Sequence, residues 1–103
     1  MGNWAAFDIE IADAIPEGSG WRQSNPRISC ASLAMRDGFD FKVRFWQGQP
    51  AMSPEQCKTL VSDLLAISND GYRLVTWNGV SFDFGMVAQQ SGMVETLMYL
   101  FRK

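Results

Sequence analysis

The chain has 103 residues, of which 47% are hydrophobic and 13% aromatic, and its formal net charge at pH 7 is -2. This length suits one domain with a real core, and the composition excludes a disordered chain. The acidic balance excludes a broad basic surface for nucleic acid, so a polyanion would have to be held by metal ions and local arginines.

Missing and scarce residue types narrow the chemistry and the compartment. The sequence contains no histidine, which excludes His-based catalytic triads and His-containing zinc sites. Cys30 and Cys57 lack CxxC spacing, and we interpret them as reduced, buried thiols of a cytoplasmic protein, with a disulfide as the less favoured alternative. We expect no membrane partner, because no apolar run approaches the ~18 residues of a membrane span and the N-terminus does not resemble a signal peptide.

The first predicted strand, residues 4–12, carries two acids in an otherwise apolar segment. Asp8 and Glu10 are two residues apart, so their side chains face the same side of the strand. Two carboxylates so close would repel each other unless a cation lay between them. Asp8 and Glu10 are therefore candidate metal ligands.

Residues 13–26 are rich in Pro, Gly, Ser, Asn and charge, and they predict a loop of about a dozen residues beside the two acids. In this loop Trp21 is a candidate for stacking on a base, and Arg22 for holding a phosphate. The alternative, favoured because a Trp buries a large area wherever it lies, is that Trp21 caps the edge of the core.

A hairpin is predicted next, with arms at 27–35 and 39–46 around the turn pair Asp37-Gly38. In its second arm apolar and cationic residues alternate. This pattern predicts one face in the core and the other in solvent, with the core face formed by Phe41, Val43 and Phe45 and the solvent face by Lys42 and Arg44.

The next segment predicts a crossover helix between two parallel strands. Ser53 is the expected N-cap, with Pro54 at the first helical position, Gln56 closing a capping box, and Gly71 ending the helix. A strand at 73–77 follows. A strand, a crossover helix and another strand imply a right-handed parallel unit.

A third acid follows this strand. Asn78-Gly79 forms a turn, a helix should begin at Ser81 or Phe82 and end at Gly92, and Asp83 lies in its first turn. An acid there also suits the helix dipole, which is the alternative explanation for Asp83. The pair upstream favours a metal site where the three carboxylates converge. A further, strongly apolar helix is predicted over 94–101.

Two segments together resemble a known family. FDIE, which contains Asp8 and Glu10, and TWNGVSFD, which ends at Asp83, are similar to the first two motifs of the DEDD (DnaQ-like) 3'-5' exonucleases. The likeness is greatest to the branch related to the exonuclease domain of family B polymerases, and it runs from about Ala6 to about Gly92. The family's third motif, with its fourth carboxylate and the preceding Tyr or His, has no counterpart before Lys103.

The resemblance implies an α/β domain with the ribonuclease H fold. We expect a single domain over 1–103, with a mixed sheet of about four strands in the order 3-2-1-4 and two or three helices. Relative to the family, this chain is expected to be truncated at its C-terminus, without the fifth strand and the final helix.

The resemblance also implies hydrolysis of nucleic-acid phosphodiesters with two Mg²⁺ or Mn²⁺ ions. Asp8 would bridge the ions, Glu10 would bind one of them and Asp83 the other. Asn78 and Gly79 would contact the terminal nucleotide at the 3' end of single-stranded DNA or RNA. Without the third motif we expect weak or no activity, with as few as one ion bound.

Three interpretations follow from these observations. The first is an exonuclease domain that lacks its C-terminal part. The second is a non-catalytic ribonuclease H-like binding module, and the third is a dimerisation domain whose acids pair with Arg or Lys. A homodimer is expected because the strand at 73–77 would leave a sheet edge open, and the helix at 94–101 would expose apolar surface.

Overall fold

A computed structural model describes residues 3–76 and 80–101. Within them the chain forms four strands and four helices. The strands are β1 (Asn3–Ile11), β2 (Ile28–Asp37), β3 (Asp40–Gln47) and β4 (Tyr72–Thr76), and the helices are α1 (Trp21–Ser24), α2 (Pro54–Asn69), α3 (Val80–Ser91) and α4 (Val94–Phe101).

The four strands form one mixed sheet in the order β3-β2-β1-β4, which confirms the predicted α/β class and strand order. β1 pairs antiparallel with β2 and parallel with β4. Opposite Phe7 lie Leu33 on one side and Thr76 on the other. The strand that carries the two acids is therefore internal, and β4 is an edge.

The crossover helix α2 begins and ends where the sequence predicts. The Gln56 N–H donates to Ser53 Oγ at 3.1 Å, and the Ser53 N–H donates to Gln56 Oε1 at 2.8 Å, which closes the capping box. At the other end Gly71 has a φ of +100°, a conformation that is unfavourable for residues with a Cβ atom.

The hydrophobic core lies between one face of the sheet and the helices. Every second residue of the central strands contributes to it, together with apolar positions of α2, α3 and α4. Its fully or almost fully buried members include Ala5, Phe7, Ile9, Ala31, Leu33, Leu60, Val61, Leu64, Phe84, Met86, Val87 and Leu97.

The predicted core face of the hairpin is wrong. The fractional exposures of Phe41, Val43 and Phe45 are 61%, 51% and 70%. The helix layer packs on the other face of β3, where Trp46 Nε1 donates to Asp63 of α2 at 2.8 Å and an Arg44 nitrogen lies 3.4 Å from the same carboxylate. The predicted alternation of a buried and an exposed face is therefore wrong for β3: residues 40–45 are all exposed, and only Trp46 near the end of the strand is partly buried.

We call the opposite side of the sheet the open face. It carries the outward residues of all four strands: Trp4, Ala6, Asp8 and Glu10 of β1, Cys30, Ser32, Ala34 and Arg36 of β2, Phe41, Val43, Phe45 and Gln47 of β3, and Arg73 and Val75 of β4. Cys57 is buried as predicted, whereas Cys30 on the open face is only half-buried, and neither forms a disulfide.

No helix in the described ranges has the length and apolar character needed to cross a membrane.

The predicted loop at 13–26 is closed at its base and contains the one-turn helix α1. The Ala12 N–H donates to the Arg27 carbonyl at 2.8 Å. The Asp13 carboxylate accepts from the Arg27 backbone N–H and Nε, both at 2.9 Å, and from Nη2 at 2.8 Å. These bonds from Arg27 lower the pKa of Asp13 to about 2. The two ends of the loop are thus held together by one bidentate ion pair.

This ion pair predicts a defined acid dependence of stability. Asp13 has a folded pKa of about 2, below the ~3.9 of an unfolded Asp. Its contribution is therefore complete above about pH 4 and is lost as the pH falls through about 2. Urea unfolding at pH 5, 3 and 2 should show that Asp13→Asn is less stable than wild type at pH 5 and that the difference is much smaller at pH 2. Glu17→Gln, in the same loop, is the control. An unchanged difference at pH 2 would contradict the assignment.

Candidate metal and nucleic-acid site

Asp8 and Glu10 lie near the C-terminal end of β1 on the open face. Phe7 and Ile9, which alternate with them, are buried toward the helices. Asp8 is half-buried opposite Ser32, and Glu10 is exposed opposite Cys30. The strand thus presents two carboxylates one above the other toward solvent, because successive side chains point to opposite faces of the sheet.

A shallow depression adjoins Asp8 on the open face. Its volume is about 380 Å³, and its lining includes Ala6, Asp8, Ser32, Ala34 and Phe45. The small side chains of β1 and β2 form its floor, and the larger side chains of β3 form one wall. The depression offers a carboxylate and a hydroxyl beside an apolar surface, which is a chemically mixed site.

Asp83 lies in the first turn of α3 and is fully buried. The parallel pairing of β4 with β1 brings the start of α3 to the same end of the sheet as the two acids. Phe84, the next residue of α3, stacks on Phe7 with ring centroids 5.5 Å apart and an interplanar angle of 8°. Asp83 is therefore on the helix that packs beside the acid-bearing strand.

The three predicted ligands do not form one group. Across residues 3–76 and 80–101, no three Asp, Glu or Cys side chains are placed so that they could hold a metal ion together. Asp8 and Glu10 face away from the helix layer, whereas Asp83 is buried in α3. Oxygen ligands suit Mg²⁺ or Mn²⁺, so the Asp8–Glu10 pair fits such an ion in its chemistry. Asp83 does not complete the set in this structure.

The predicted substrate residues have different outcomes. Asn78 and Gly79 lie outside the described residues. Trp21 is partly buried against the core, and its ring meets Phe82 edge to face at 5.9 Å. The Arg22 guanidinium lies 4.3 Å from the centroid of the Trp21 ring. Trp21 thus has the core-capping position of the alternative interpretation, while substrate contacts by Trp21 and Arg22 stay predictions.

The contacts that hold the loop against α3 were not predicted from the sequence. The Nε2 atoms of Gln89 and Gln90 both donate to Asn25 Oδ1, each at 2.6 Å, and Gln90 Nε2 also donates to the Pro26 carbonyl at 3.0 Å. Asn25 has a φ of 49°, in the left-handed region. The signal in the sequence was the Asn-Pro pair at the end of the loop, since Asn tolerates this conformation better than most residues.

A row of two arginines at the far end of the open face was also not predicted from the sequence. Arg36 of β2 and Arg73 of β4 both pair with Trp4 of β1, so the two arginines flank it. Both are exposed. They lie at the opposite end of β1 from Asp8 and Glu10. By strand register the open face itself carries arginines at one end and carboxylates at the other, while Asp37 and Asp40 of the hairpin turn lie next to the arginine row.

Comparisons with protein-family models, with curated proteins and with solved structures give no match for this chain. The resemblance to the exonuclease family therefore stays a prediction from two sequence motifs.

The contact between Trp21 and α3 yields a prediction at Gly85. A Cβ placed on Gly85 would lie 2.7 Å from Trp21 Cη2 and 3.2 Å from Cζ2, so Gly85→Ala must displace the indole. Without that clash, Gly→Ala within a helix stabilises by roughly 1 kcal/mol. Gly85→Ala should therefore raise the free energy of unfolding by about 1 kcal/mol in a Trp21→Ala background and by clearly less, or lower it, in wild type. Denaturant unfolding of the four proteins measures this coupling. Equal effects in the two backgrounds would show that Trp21 does not pack on α3.

Proposed function

We propose that this chain is a ribonuclease H-like domain of the 3'-5' exonuclease type, which binds a divalent cation through Asp8 and Glu10. The observation that supports it is the position of the acid pair on the internal strand β1, with β4 parallel beside it and an acid in the first turn of the helix that follows β4. This is the arrangement that the two motifs imply.

The chemical role of each residue follows from its place. A bound Mg²⁺ or Mn²⁺ would neutralise phosphate charge and lower the pKa of an attacking water. Asp8, half-buried beside the hydroxyl-bearing Ser32, is the better-positioned ligand. Glu10 has more freedom because it is exposed. Arg22, exposed on the surface of the loop, is the proposed contact for the phosphate backbone of a single-stranded 3' end.

Under this proposal the described residues carry only part of the family's catalytic set. The sequence has no third motif, and Asp83 is not grouped with the other two acids in the described residues. Losing one component of such a unit usually lowers the rate by orders of magnitude. We therefore propose weak cation binding and trace hydrolysis at most, and we assign no hydrolytic step to named atoms.

A second candidate function is a non-catalytic ribonuclease H-like module. The separation of Asp83 from the acid pair favours it, because two carboxylates alone bind a hard cation weakly. In such a module Asp8 and Glu10 would contribute to association with a partner and would not bind a cation. Cation binding is therefore the property that differs between the two candidate functions.

Cation binding distinguishes the two functions. Calorimetric titration with Mn²⁺ should show weak binding to wild type, and the heat should be lost in Asp8→Asn and in Glu10→Gln. Glu95→Gln removes the same charge from the distant helix α4 and should leave the heat unchanged. Equal heats in wild type and Asp8→Asn would remove the metal site from the proposal.

Stability without metal gives an independent measurement on the same variants. If Asp8 and Glu10 repel each other, Asp8→Asn should raise the melting temperature in the presence of a chelator. If Asp8 is instead bonded to a cationic side chain, the same change should lower it. A lower melting temperature together with absent Mn²⁺ binding would support the non-catalytic module.

Activity on a 5'-labelled single-stranded oligonucleotide tests the rest of the proposal. With Mn²⁺ the 103-residue chain should shorten DNA or RNA from the 3' end only at trace level, and Asp8→Asn should abolish this shortening. Rapid stepwise shortening by wild type would contradict the role given to the missing carboxylate. Trace shortening that persists in Asp8→Asn would undo the assignment of the site.

A further inference from the structure

The open face combines an apolar middle with charged ends. Its large apolar side chains Phe41, Val43 and Phe45 run along β3, and Val75 on β4 is 40% exposed. A contiguous apolar patch of this kind on a sheet is a typical interaction surface. The charged residues at the two ends of the face determine which partner fits it.

The charges are placed in register along the strands. Arg36, Trp4 and Arg73 form one row across β2, β1 and β4. Glu10 lies six residues further along β1, beyond Asp8. The anionic end of the face therefore follows the cationic end along the same strand, separated by Ala6 and its neighbours.

We propose that the open face binds the open face of a second copy of this chain. The two-fold axis would lie in the plane of the interface, perpendicular to the strands, so that β1 of one copy runs antiparallel over β1 of the other. This operation keeps the lateral order of the strands and reverses their direction. Glu10 of each copy then lies over Trp4 of its partner, with Arg36 and Arg73 of the partner on either side.

The same operation pairs the apolar residues. Because β3 faces β3 with its direction reversed, Val43 of one copy meets Phe45 of the other, and the contact occurs twice. An axis parallel to the strands would instead place Asp8 and Glu10 against the same acids of the partner, which costs free energy. Charge thus selects one of the two symmetric arrangements of the strands.

The surface is small for a dimer interface. Four strands at ~4.8 Å spacing and six residue steps of ~3.3 Å give a flat footprint of roughly 19 by 20 Å per copy, or roughly 760 Å² for two copies, below the ~1,000 Å² of most specific interfaces. The proposed dimer is therefore weak, and its specificity comes from the placement of charge. An isologous contact of this kind closes on itself, so the assembly stops at the dimer. Two sheets packed face to face are a common architecture, with about 10 Å between them.

Dimerisation and cation binding both use Glu10, a step that rests on the proposed function. Glu10 cannot serve the partner's arginines and a divalent cation at the same time. Cation binding and dimerisation therefore compete, and each ligand lowers the apparent affinity for the other by the same factor.

The oligomeric state is the first test. Light scattering on wild type should give twice the 11.6 kDa chain mass. Phe45→Ser and Glu10→Lys should give monomers with unchanged far-UV circular dichroism, since both side chains are exposed in the single chain. Met98→Ser, which removes a side chain of 48% exposure from α4, is the matched control and should stay dimeric. Reversing the arginines as well, in Glu10→Lys with Arg36→Glu and Arg73→Glu, should restore the dimer.

Each other outcome contradicts the proposal. A monomeric wild type at several hundred micromolar would overturn it, as would assemblies larger than a dimer. Dissociation by Met98→Ser but not by Phe45→Ser would place the dimer interface on α4. Dissociation by neither variant would place it at the β4 edge of the sheet. A triple variant that stays monomeric would overturn the antiparallel arrangement.

Adding Mn²⁺ separates this proposal from the proposed function. At millimolar Mn²⁺ the wild-type dimer should shift toward monomer, and the variant Asp8→Asn should shift less. A dimer that ignores Mn²⁺ would stand as a dimer but would overturn the competition and the use of Glu10 as a metal ligand.

Discussion

Strand pairing along both edges of β1 fixes the direction of its side chains and therefore the two faces of the sheet. With β2 antiparallel on one side and β4 parallel on the other, its backbone hydrogen bonds are used within the sheet, and its side chains can only point to one face or the other. Phe7 points to the helices and stacks on Phe84. Asp8 must then point away from them.

This alternation separates the molecule into two unlike faces. On the helix face the apolar residues of β1 and β2 form a core with α2, α3 and α4. On the open face the apolar residues of β3 lie beside the acids and arginines. An apolar surface that large stabilises a folded chain only when something covers it, so the proposed dimer would add a second source of stability to the domain.

The acid pair is therefore involved in two competing physical requirements. Carboxylates at two-residue spacing on a strand repel each other, and a divalent cation or, for Glu10, a partner's arginines would reduce that repulsion. The buried position of Asp83 in α3 limits what the cation can gain from a third ligand. The proposed nuclease site and the proposed dimer both use Glu10, so they are alternative ways to neutralise that carboxylate.

Local features of the fold were predictable from the sequence, whereas the orientation of β3 and the packing of α3 depend on contacts between residues far apart in the chain. The strand at β1, the capping box of Ser53, the turn at Gly38 and the parallel β4 were predictable because propensity, capping and loop length act over a few residues. The faces of β3 were not, since Phe41, Val43 and Phe45 alternate with Lys42 and Arg44 whichever side the helices take. The placement of Asp83 apart from Asp8 and the packing of Trp21 against Gly85 were not predictable either. They depend on how α3 packs against the sheet, which is set by the volumes of buried side chains far apart in the chain.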